Sequence, residues 1–181
     1  ILSQVRKDLA ENSDETTKAS EMRFFKSNER TEIYGLKAKI VNEISKKHYR
    51  QIKMLPKSDI YELCVQLWRS GYLEESFIAS DWAYAQRNSF EHEDFRTFEN
   101  WINSYVNNWA SCDTFCNHTI GAFVEKYPQY IDNLKNWARS DNKWMRRAAA
   151  VSLIIPAKNG KFLDDVFEIA AILLNDSEDL V

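Results

Sequence analysis

The sequence predicts an all-α fold, an α-solenoid or superhelix of antiparallel helix pairs, and three observations carry that prediction. Only four glycines and three prolines interrupt 181 residues, so long stretches lack strong breakers. Apolar residues recur three and four apart almost throughout, and β-type alternation is sustained nowhere. Successive helices pair at roughly the 30–40-residue period of two-helix solenoid repeats. A globular helical bundle is the structural alternative.

Each element follows from its own pattern. Residues 1–11 align Ile1, Leu2, Val5 and Leu9 on one stripe, and 14–27 bring Met22, Phe24 and Phe25. The segment "IYGLKAKIVNEISKKHYRQIK" turns at Gly35 and then spaces Leu36, Ile40, Ile44 and Lys47 for a helix. Ser58 or Asp59 can cap the next helix, which runs through Ile60, Leu63, Cys64 and Leu67 and stops at Gly71. Residues 73–87 carry Phe77, Ile78, Trp82 and Ala85, and 92–106 carry Phe95, Phe98, Trp101, Ile102 and Tyr105. Helices over 110–126 (ended by Pro128), 128–138, 142–155 (ended by Pro156) and 161–174 complete the chain. Links are short.

The length suits one sizeable domain over 1–181 with a real core. Hydrophobic residues make up 44% and charged residues 28%, ordinary values for a globular protein. No apolar run is long enough to span a bilayer, and no secretory signal is visible. The chain starts at Ile1, without Met, so it is expected to be a fragment of a longer product. Three cysteines follow no disulfide spacing, which favours a reducing, cytoplasmic setting. Net charge is −3, but it is segregated. Residues 37–57 carry seven cations against Glu43, and 135–161 carry seven against Asp141, so each zone is +6 and the remainder is −15. Two basic zones on an acidic remainder suit one polyanion-binding face, while solvated helix surfaces are the plainer reading.

The stretch "NWASCDTFCN", residues 108–117, raises a chemical question. Trp109 and Asp113 fall about 40° apart on one helix face, shared with Cys112, Cys116, Ile120 and Phe123. A carboxylate there costs free energy unless it is hydrogen-bonded, paired or exposed in a cleft. Capping is the plain explanation: with Ser111 as N-cap, Asp113 would sit in the first turn. A second segment, "SDNKWMRRAAAVSLI", favours pairing. Ser140, Asp141 or Asn142 can cap it, and Trp144, Arg147, Ala148 and Val151 then share a face, with Arg146 on another. An inward Arg147 needs an anion, and Asp113 or a phosphate would serve.

Together these two segments resemble the signature pair of the AlkD-like DNA alkylation repair glycosylases, and "IYGLKAKIVNEI" is similar to that family's N-terminal Tyr-Gly segment. The likeness extends from about residue 15 to the end. It implies a solenoid of HEAT-like repeats with a concave basic groove for duplex DNA. It implies hydrolysis of the N-glycosidic bond of N3- and N7-alkylated purines, without the base flipping most such enzymes require. Asp113 matches the family's catalytic Asp and Trp109 its aromatic partner. Arg147 matches the groove arginine, with Arg146 the competing alignment. Trp144, Lys143 and Arg139 fall in the same DNA-facing segment. Phe24 or Phe25 stands where a site Tyr is common, and a further family Trp comes from beyond "NDSEDLV", so the domain is expected to be truncated at its C-terminus. A monomer acting at the nucleoid, with no cofactor and no membrane partner, is expected.

The chemistry of the residue types agrees. An alkylated purine is cationic and already a good leaving group, so a carboxylate that stabilises an oxocarbenium-like sugar and positions water is what hydrolysis needs. An indole face contributes on the order of 0.5–2 kcal/mol to a nearby cation. Cys112, Cys116 and His118 are not expected to form a metal site: His118 lies about 140° from the midpoint of the cysteines, and neither His48, His92 nor Cys64 sits in a ligand-spaced pair. Trp68, Trp82, Trp101 and Trp137 read as core. Rival functions are a non-catalytic helical-repeat scaffold binding DNA or a protein, and a glycosidase acting on free nucleosides.

Overall fold

The computed structural model describes residues 1–26, 29 and 31–181. Among them the secondary structure is helical, with one isolated parallel bridge between Glu32 and Tyr72. The chain is thus all-α and built from successive packed helices. Packing divides it into two compact units, Ile1–Gln86 and Arg87–Val181.

The N-terminal unit holds α1 (Leu2–Glu11), α2 (Glu15–Glu21), a 3₁₀ turn (Met22–Phe24), α3 (Ala38–Ile52), α4 (Lys57–Trp68) and α5 (Leu73–Ala85). Helix α1 buries Leu2, Val5 and Leu9, as its stripe predicts. Asp14 caps α2 by accepting a hydrogen bond from the Thr17 amide at 2.7 Å. The Tyr-Gly segment has a structural cause. The buried Glu74 carboxylate accepts hydrogen bonds from the amides of Tyr34, Gly35 and Leu36, at 3.0, 2.8 and 3.2 Å. Gly35 has φ +90°, and a Cβ there would lie 2.6 Å from the Asp14 carbonyl oxygen, so only glycine fits. Helix α3 buries Val41, Ile44, Ser45, His48 and Ile52, which turns Lys47 outward to pair with Asp8 at 2.6 Å. Neither Ser58 nor Asp59 caps α4, whose N-cap is Pro56. Trp82 and Ile78 of α5 are fully buried, and the Trp82 indole donates to the Ser45 carbonyl.

The C-terminal unit holds α6 (Asp94–Tyr105), α7 (Trp109–Phe115), α8 (Gly121–Lys126), α9 (Ile131–Trp137), α10 (Lys143–Val151), α11 (Ile154–Lys158) and α12 (Leu163–Leu173). Its core is aromatic. Phe90, Phe98, Trp101, Phe115 and Phe123 are each 2% exposed or less, and Phe95 stacks on Trp137 with centroids 5.2 Å apart.

Two expectations are corrected here. The helix over 110–126 is not uniform: a π-helical turn, Cys116–Ile120, separates α7 from α8. The wider turn shifts the helical phase after residue 115, yet Cys112, Cys116, Ile120 and Phe123 are all fully buried. Just beyond it, Gly121 lets the Ser152 carbonyl approach, since a Cβ at 121 would meet that oxygen at 3.0 Å. Pro156 does not end a helix but lies in the first turn of α11, where its missing amide costs nothing. Helix α10 stops at Val151 instead.

Candidate active site

Helix α7 begins at Trp109 because Asn108, not Ser111, is its N-cap. The Asn108 side chain accepts from the Ser111 amide at 2.8 Å. Asp113 is therefore the fifth residue of α7, beyond its first turn, and capping does not explain it. Trp109 lies one turn before it and is half-buried, while Ala110, Ser111 and Cys112 between them are buried.

What holds Asp113 is Arg147. Helix α10 starts at the cap of Asn142, which accepts from the Trp144 amide at 3.0 Å. Its inward residues, Trp144, Ala148 and Val151, are buried, and Arg147 sits among them. The guanidinium forms a two-pronged pair: Nε donates to Asp113 Oδ1 and Nη2 to Oδ2, each at 2.7 Å. The third Arg147 nitrogen, Nη1, donates to the Leu180 carbonyl. The side chains are 18% exposed for Arg147 and 27% for Asp113, so the pair is shielded yet open to water on one side. Burial disfavours the Arg147 charge, but the hydrogen bonds and attraction of Asp113 outweigh it and hold the guanidinium above its ordinary range.

The other expected residues fall in different settings. Arg146 also turns to a partner: Nε and Nη2 grip Asp176 at 2.6 and 3.0 Å, and Nη1 donates to the carbonyls of Ser140 and Asp141. Lys143 lies 5.0 Å from the Trp144 ring centroid and 3.3 Å from a Glu178 oxygen. Trp144 itself is buried. Arg139 is exposed and donates to the Lys135 carbonyl. Phe24 is 69% exposed and belongs to the N-terminal unit. Cys112 and Cys116 are fully buried and His118 is exposed, on opposite sides of their helix.

Sequence reasoning missed the segment that follows α12. Asp176, Glu178 and the Leu180 carbonyl meet Arg146, Lys143 and Arg147 in turn. Its signal was the acidic run "NDSED" set against three cations on one helix, a charge match with no helical period to announce it.

An all-helical chain with an arginine-clasped carboxylate one turn from an indole is the class that fold and site define. The chain belongs to the family of DNA alkylation repair enzymes, whose model matches residues 5–181. The fold is also that of a solved structure described as a predicted DNA alkylation repair enzyme from Enterococcus faecalis. The match covers 93% of this chain and 78% of that one, at 17% identity and a TM-score of 0.78. No curated protein matches. Family membership places the chain in the repair of alkylated DNA, and among the described residues no helix is long and apolar enough to cross a membrane.

Proposed function

We propose that this chain is a DNA glycosylase that hydrolyses the N-glycosidic bond of N3- and N7-alkylated purines in duplex DNA. The observation that carries the reading is the Asp113 carboxylate, fixed by both prongs of Arg147 and still reached by water. The fork occupies one acceptor direction on each oxygen. A carboxylate has about four, so capacity remains for a nucleophilic water.

The reaction needs little else. The alkylated base carries a positive charge and departs with the bonding electron pair as a neutral purine. The sugar left behind is electron-poor at C1′, and the Asp113 charge opposes that developing cation. A water oriented by Asp113 adds to C1′, and its proton passes to the carboxylate and then to solvent. Trp109, one turn away on the same helix, offers a π-face to the cationic nucleotide. Arg147 fixes the carboxylate's orientation, and Lys143 and Arg139 contribute positive charge for the phosphates.

The test is to incubate the protein with methylated duplex DNA and measure released methylpurines by chromatography. Release is expected from the parent chain and not from Asp113→Asn, which should still bind duplex. A helical scaffold would release nothing, and a nucleosidase would act on free methylpurine nucleosides instead.

A further inference from the structure

The cations expected to face phosphate already hold oxygen atoms, and those oxygens come from the chain itself. Lys143, Arg146 and Arg147 stand at i, i+3 and i+4 on α10, so both arginines neighbour Lys143 on the helix surface. Glu178, Asp176 and the Leu180 carbonyl meet them in that order. The segment is folded for this task. The Glu178 amide donates to Asp176 Oδ1 at 2.9 Å, and the Val181 amide closes a turn onto the Glu178 carbonyl at 3.0 Å. Yet apolar burial anchors it only in part. Leu180 and Val181 are half-buried, but Leu174, at its start, is 79% exposed, and Asn175, Ser177 and Asp179 are exposed as well. Ion pairs with little apolar packing beneath them open at low cost and are screened by salt.

Building on the DNA-binding role proposed above, we propose that residues 174–181 are an intramolecular stand-in for a nucleic-acid backbone, seated on Lys143, Arg146 and Arg147 until duplex DNA displaces it. Two carboxylates and a carbonyl occupy donors that suit phosphate oxygens. While they do, each of the three Arg147 nitrogens is engaged, Nε and Nη2 by Asp113 and Nη1 by the Leu180 carbonyl. Duplex must compete for these donors. The measured affinity is therefore the intrinsic affinity reduced by the fraction of molecules with the segment released.

The experiment compares binding of undamaged duplex, by fluorescence anisotropy at low salt, to three forms of the full chain. These are the parent, Asp176→Asn/Glu178→Gln, and a control of equal charge change, Asp59→Asn/Glu62→Gln, at exposed positions on α4. The segment variant should bind about three- to tenfold tighter than the control. Hydrogen exchange on the parent gives a second reading, and a fold check is built into it. The amides of 176, 178 and 181 should exchange faster once duplex is bound, while the α5 and α6 amides stay unchanged. Equal affinity of segment variant and control, stronger protection of those amides with DNA, or no duplex binding by any form overturns the proposal. Excision is not read in this experiment. A chain that behaves as expected here but releases no methylpurine loses only the glycosylase reading. A chain that excises but shows no segment effect loses only this one.

Discussion

Removing the partner from Asp113 should cost an amount that identifies the pair as a semi-buried fork rather than a surface contact. The perturbation is a double-mutant cycle of Asp113→Ala, Arg147→Met and the double variant. Exposed ion pairs couple by about 0.2–1 kcal/mol, whereas breaking a fully buried pair costs about 3–5 kcal/mol. Here two 2.7 Å bonds join side chains that are 27% and 18% exposed, which lies between those limits. A coupling of about 1–2 kcal/mol follows. The Arg147 bond to the Leu180 carbonyl is lost in both the Arg147 single and the double variant, so it cancels from the cycle. Urea unfolding at neutral pH is the assay, with midpoints compared at constant slope. The Arg147→Met single variant should be the most damaged, because it leaves the carboxylate facing its site alone. A coupling below about 0.3 kcal/mol, indistinguishable from additivity, would refute the claim that the fork holds Asp113 in place.

Three further outcomes are expected. Asp176 is held below the ordinary carboxylate range by the Arg146 hydrogen bonds and then by the Glu178 amide. Its stabilising contribution is thus complete at neutral pH and is lost as pH falls below about 4 and through the lowered value; amide exchange in 174–181 should accelerate there, and Asp176→Asn should abolish that pH dependence. Gly35→Ala should cost about 2 kcal/mol or more, because its φ is positive and its new Cβ would strike the Asp14 backbone, whereas Gly71→Ala, with φ +76° but open space, should cost only about 1 kcal/mol; equal melting temperatures for the two would contradict this. Burial pushes the Cys64 thiol up, and burial followed by the Cys112 hydrogen bond pushes Cys116 up. None of the three thiols should react with a disulfide reagent at pH 8 until the protein unfolds, and rapid labelling of the native chain would show the packing around α7 to be wrong.

Most of the fold was legible because helices announce themselves by period. The stripes of α1 and α6, and the core places of Trp68, Trp82, Trp101 and Trp137, could be read from spacing alone. The position of Asp113 beside Arg147 was half legible. Spacing put each on the inward side of its own helix, but spacing within a helix cannot say which helices meet. The α7 cap was missed because Asn108 and Ser111 are both good caps, and the choice depends on backbone geometry at 108. The π turn over Cys116–Ile120 leaves the composition helical and alters only the phase, so no residue type betrays it. Pro156 misled because proline also suits a first turn: it lies inside α11, and the break falls four residues earlier, at Ser152, whose carbonyl is the one that a proline at 156 leaves without its helical donor. The acidic segment after α12 was invisible for a different reason. Its order comes from charge complementarity with a helix thirty residues away in sequence, not from any pattern of its own.

The most direct measurement is single-turnover release of methylpurine from methylated duplex by the parent chain and by Asp113→Asn, with binding of the same duplex recorded alongside. The predicted result is a loss of at least about 100-fold in the release rate with duplex affinity retained, since only the charge that opposes the developing sugar cation is gone. Release by Asp113→Asn at the parent rate would contradict the account.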